Sequence, residues 1–73
     1  MARKVYRVVP AGSDWQVTHN GRVLSTHHTK PPAVSAGQAV AKANQPSQLV
    51  VHRADGTIEY EYTYGDDPFP PAG

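Results

Sequence analysis

Four histidines, His19, His27, His28 and His52, stand in a chain of only 73 residues. Imidazole is the commonest metal ligand and titrates near neutral pH. His27 and His28 are adjacent in an extended stretch, where successive side chains face opposite ways, so they do not easily share one ion. The chain has no cysteine, and no acid stands near this pair to complete a ligand set, so no metal site is expected. His52 is expected to pack or hydrogen-bond at a strand end. Glu59 and Glu61 are two residues apart; on one face of a strand they would lie about 7 Å from each other, the range of glycosidase carboxylate pairs. Such a pair needs a cleft that raises one pKa, and a domain of this length buries only ~60% of its unfolded surface, too little for a deep cleft. An exposed strand face is expected instead. Gly65-Asp66-Asp67 has the form of a polymerase metal motif but reads as a turn, since Gly and Asp are ordinary turn residues. The patterns G-x-x-x-x-G-K-[ST], G-x-G-x-x-G, G-x-S-x-G and H-E-x-x-H are missing. The chain is therefore expected not to be an enzyme, with no catalytic residue, no cofactor and no small-molecule substrate.

The chemistry that remains is binding. The formal net charge of +1 averages two unlike parts. Residues 1–53 hold seven bases against one acid, Asp14, a balance of +6, whereas residues 54–73 hold five acids and no base. Such asymmetry points to an anionic partner or to self-complementary association. Arg3, Lys4, Arg7, Arg22 and Arg53, together with Tyr6 and His19, are candidates for a basic, aromatic-bearing sheet surface that holds phosphates while rings stack on bases. Lys42 is the one base inside the helix assigned below after its first residue, which argues against a recognition helix in a major groove. Nucleic acid would then be bound with little sequence preference. The competing function is a self-associating, homodimeric protein-interaction module. Its candidate interface residues or tail anchors are Tyr60, Tyr62, Tyr64 and Phe69, because aromatic residues favour interface cores and sheet edges pair readily.

The elements that must position these groups follow from periodicity. Lys4 to Val9 alternates, with Tyr6 and Val8 on one face and Val5, Arg7 and Val9 on the other, and reads as a strand. A turn at residues 10–13 leads to a second strand, Asp14 to His19. Asn20-Gly21 is the strongest short hairpin signal, because both central positions of a type I′ turn need positive φ. Arg22 to His27 is then a third strand, antiparallel to the second. Thr29 is placed to cap a helix through its side-chain oxygen, with Pro31 and Pro32 in the first turn. The helix runs from about Lys30 to Asn44, with Ala33, Gly37, Val40 and Ala41 on one stripe and Val34 at its border. Gly37 costs roughly 1 kcal/mol against Ala in a helix interior, so it is read as permitting close approach of helix to sheet. Gln45-Pro46 ends the helix. Gln48 to Arg53 is a fourth strand, Asp55-Gly56 a turn, and Thr57 to Tyr62 a fifth strand with Ile58, Tyr60 and Tyr62 on one face.

The order βββαββ predicts a single small α+β domain, residues 1–73, whose mainly antiparallel sheet carries one helix on one face. Its core is expected to include Trp15, Val17, Val34, Val40, Val51 and Ile58. Residues 1–63 form the folded body. Residues 64–73 form an extended proline-rich tail, docked through Phe69, with Asp66 and Asp67 near the basic body. With no apolar run of signal-peptide or membrane-spanning length and no cysteine, a soluble cytoplasmic protein is expected.

These residues resemble a family of small bacterial proteins catalogued as domain of unknown function 2188. The resemblance covers nearly the whole chain. It rests on Val8-Val9-Pro10 leading into Gly12, Trp15-Gln16-Val17, Thr29, Leu49-Val50-Val51-His52-Arg53, Asp55-Gly56-Thr57-Ile58 and the tail Tyr64-Gly65-Asp66-Asp67-Pro68-Phe69-Pro70-Pro71-Ala72-Gly73. Asp66, Ala72 and the Pro31-Pro32 pair depart from the family pattern. The resemblance implies no assigned activity and transfers no functional residue.

Overall fold

The computed structural model describes residues 3–65. Five strands and one helix follow in the order β1 (Lys4–Ala11), β2 (Asp14–His19), β3 (Arg22–His27), α1 (Lys30–Ala43), β4 (Ser47–His52) and β5 (Ile58–Tyr64). The expected α+β fold is present; β1 runs two residues further than periodicity suggested, and β5 starts one residue later and ends two residues later, so Tyr64 belongs to the sheet and not to the tail. The strands form one sheet in the spatial order β3-β2-β1-β4-β5. Three pairings are antiparallel, and β1 with β4 is parallel.

Local chemistry explains the turns. Asn20 and Gly21 have φ of 54° and 79°, the positive pair that a type I′ hairpin demands. Gly56 also has positive φ, and Asp55 Oδ1 accepts hydrogen bonds from the Thr57 amide and hydroxyl. Those bonds hold the Asp55 carboxyl below its ordinary value, the Thr57 hydroxyl contributing most. At the helix start Thr29 has extended backbone but makes no side-chain capping bond. Pro31 follows in the first turn, where a missing amide hydrogen costs nothing, so the helix begins without that cap.

The core lies between α1 and the sheet. Ala33, Gly37 and Ala41 are the buried helical positions, as the stripe of small residues implied, with Val34 and Val40 partly buried beside them. They rest on Tyr6, Val8, Val17, Leu49 and Val51. Trp15 is half-buried against this cluster. Ile58, expected in the core, is 48% exposed. A bulge between Val51 and His52 is the cause: Val51 pairs with Tyr60, but His52 pairs with Ile58. The extra residue turns Ile58 to the face opposite Tyr60. The same irregularity separates the two glutamates, since Glu61 lies opposite Val50 while Glu59 pairs with Lys30 at the helix start. They do not share a face. The docked tail with Asp66, Asp67 and Phe69 lies outside the described residues.

Candidate anion-binding end of the sheet

Because β1 and β4 are parallel while β2 runs the other way, one end of the sheet gathers the start of β1, the close of β2 and the start of β3. Three of the five candidate basic residues meet there. Lys4 opens β1, Arg3 precedes it, and Arg22 opens β3 directly across from His19. An open concavity of about 420 Å³ is lined by Arg3, Lys4, Val5, His19 and Asn20. A second, of about 340 Å³, is lined by His19, Asn20, Arg22 and Leu24. His19 and Asn20 form the wall between them. Among the described residues, no carboxylate pairs with Lys4 or Arg22.

His19 is fixed on two sides. Its ring stacks on Tyr6, with centroids 4.5 Å apart and planes 24° from parallel, and Nδ1 donates to the Val5 carbonyl at 3.0 Å. That leaves Nε2 as the acceptor, 3.4 Å from the Asn20 amide nitrogen. The stack also decides the role of Tyr6. It was expected on the exposed basic surface, yet it is 4% exposed and faces the helix, so its ring is core and His19 covers it.

The carboxyl end of α1 arrives at the same end of the fold, and exposed helix carbonyls would oppose an anion. They are occupied. Ser47 Oγ donates to the Ala41 carbonyl, the Asn44 amide bonds the same oxygen, and Asn44 Nδ2 donates to the Val40 carbonyl at 2.8 Å. Lys42, in the last turn, is directed to the β5 side instead, with Nζ 5.8 Å from the Tyr64 ring centroid. What converges here is a set of cations and hydrogen-bond donors, the equipment for holding a phosphate or another anion.

Arg7 and Arg53 are elsewhere. Arg7 lies on the face away from the helix, between Thr18 and Val50 of the neighbouring strands, and Nη1 donates to His52 Nε2 at 3.1 Å. His52 Nδ1 in turn donates to the Gly56 carbonyl at 2.8 Å. The strand-end hydrogen bond expected of His52 is thus present. Arg53 follows β4 at the opposite end, about 20 Å along the strand from Ser47, and donates to the Ile58 carbonyl. It is tied into the β4–β5 turn and is no part of the basic end. His27 and His28 bond Ser25 and Asp14 respectively.

The tyrosines of β5 form a separate feature. Tyr64, Tyr62 and Tyr60 pair with Ser47, Leu49 and Val51, so all three face the helix side. Tyr60 and Tyr62 meet edge to face with centroids 5.2 Å apart, and Tyr62 and Tyr64 stack at 6.1 Å. Burial raises the phenol pKa of Tyr60 and of Tyr64, with Tyr62 adding to both, although a hydrogen bond from Gln38 moderates Tyr64. Phe69 lies outside the described residues. Of the basic end, Asn20 was legible only as a turn residue; its place between His19 and Arg22 in the sequence was the available signal.

A family model described as "Uncharacterized protein conserved in bacteria (DUF2188)" matches residues 6–64. No curated protein and no solved structure matches the chain.

Proposed function

The chain belongs to this family of uncharacterised bacterial proteins, and we propose that it is a small cytoplasmic binding module that holds nucleic-acid phosphates at the basic end of its sheet. The observation that carries this is the convergence of Arg3, Lys4 and Arg22 on two adjoining concavities separated by His19 and Asn20. Phosphate contacts supply affinity and register but no sequence information, so binding would be indifferent to base order. The single helix carries its small residues against the sheet and offers no basic face to a groove. The absence of cysteine suits a reducing compartment. Among the described residues, no helix is long and apolar enough to cross a membrane.

The test is anisotropy titration of labelled single- and double-stranded DNA and RNA with the parent protein, with Lys4→Glu/Arg22→Glu and with Arg53→Ala. Loss of binding in the double variant, with Arg53→Ala near the parent, is expected. Equal loss in both, or no binding by the parent at low salt, overturns the proposal.

Self-association is a second function that one observation favours. The edge strand β3 exposes Val23 at 48% and Leu24 at 43%, apolar side chains beside unpaired backbone groups. Sizing across a hundredfold dilution is its test: a concentration-dependent dimer supports it, and a monomer throughout removes it.

A further inference from the structure

Resting on the phosphate-holding reading of the basic end, we infer that this end takes single-stranded nucleic acid, with one unpaired base stacked on the outer face of the His19 ring and the two phosphates that flank it held in the concavities on either side. The ring is built as a platform. One face lies on Tyr6 at a centroid distance of 4.5 Å, and the Nδ1 bond to the Val5 carbonyl at 3.0 Å fixes its rotation. Tyr6 is 4% exposed and anchored in the core, so the ring resting on it cannot retreat. His19 itself is only half-buried and borders both concavities, so its second face is turned to them. A ring already held in place loses little freedom when a base settles on it. Histidine is among the side chains on which unpaired bases stack.

The arrangement of charge around the ring suits a strand rather than an isolated ion. Arg3 and Lys4 line the concavity on one side of the His19–Asn20 wall, and Arg22 lines the one on the other side. In a nucleic-acid strand every internal nucleoside lies between two phosphates, so a base on the wall delivers one phosphate to each side. The hairpin sets this placement. Asn20 and Gly21 close its turn with φ of 54° and 79°, which puts Arg22 directly across from His19. The register then slips, Val17 pairing with Ser25 and Thr18 with Val23, which leaves Leu24 as the extra residue of β3. Leu24 lines the Arg22 concavity and is 43% exposed, an apolar flank for the sugar between base and phosphate. Inside a duplex both faces of each base are covered by the neighbouring pairs, so His19 reaches none of them and only the phosphate contacts remain. Stacking on an aromatic face accepts every base, so the preference is for unpaired bases and not for a sequence.

The experiment is anisotropy titration of the full chain at low salt with two labelled probes, a short thymidine strand and a strand of the same length built of abasic residues. The abasic strand carries the same phosphates without the bases. The thymidine strand is expected to bind at least about fivefold more tightly. His19→Ala should erase that difference, whereas His19→Phe, which keeps a ring on Tyr6, should retain it. Lys4→Glu/Arg22→Glu should weaken binding of both strands. Equal affinity of the parent for the two strands, or a preference that survives His19→Ala, overturns the stacking of a base on His19 and leaves the phosphate site standing. No binding of either strand by the parent overturns both.

Discussion

Gly37 and Leu49 meet where α1 crosses β4, so closely that a Cβ on Gly37 would lie 2.9 Å from Leu49 Cδ1. Val8 Cγ2 would be 3.1 Å away on the other side. Both partners are fully buried and cannot swing aside. Gly37→Ala gains about 1 kcal/mol of helix propensity but overpacks the core, which costs about 1–3 kcal/mol. The expected outcome is a melting temperature unchanged or lowered by up to about 10 °C. A clear rise would show that the helix stands further from the sheet than described.

The bulge in β5 makes a paired prediction. Leu49 is fully buried, so Leu49→Ala should cost about 2–5 kcal/mol. Ile58→Ala should fall within about 0.5 kcal/mol of the parent, because Ile58 is turned outward. Denaturant unfolding of the two variants checks the register directly. Comparable losses would return Ile58 to the core.

The β4–β5 turn should weaken in acid. Asp55 has a folded pKa below its ordinary 3.8, so its contribution is present above the unfolded value and is lost as pH falls through the folded one. The side-chain carboxyl resonance of Asp55 and the Thr57 amide should titrate together, below pH 3.8. Independent titration, or a midpoint at or above the ordinary value, would break the link between them.

Much of this fold was legible because its signals are local. Asn20-Gly21 declares its hairpin through two positive φ angles, and the small residues Ala33, Gly37 and Ala41 declare a close helix–sheet contact. The non-local features were not. Nothing near Lys4 states that β1 pairs in parallel with β4, although the uninterrupted Leu49-Val50-Val51 run is what a strand buried on both faces requires. Val50 is buried even on the face without a helix, between Arg7 and Glu61 of the adjoining strands. The Ile58 bulge depends on the partner strand and leaves no mark within its own segment. Strand order likewise decides which bases meet: it joins Arg22 to Arg3 and Lys4 and sends Arg53 to the far end.

The most direct measurement of the proposed function is the salt dependence of DNA binding. Three phosphate contacts, through Arg3, Lys4 and Arg22, predict that duplex affinity falls about 40-fold between 50 and 200 mM salt, and single-strand affinity about 20-fold. Replacing Arg22 with Ala should reduce the slope of log affinity against log salt by about one. A fall of that size, diminished in Arg22→Ala, is the predicted result. Affinity that is flat across this range, or a slope indifferent to Arg22, would contradict a phosphate-holding end of the sheet.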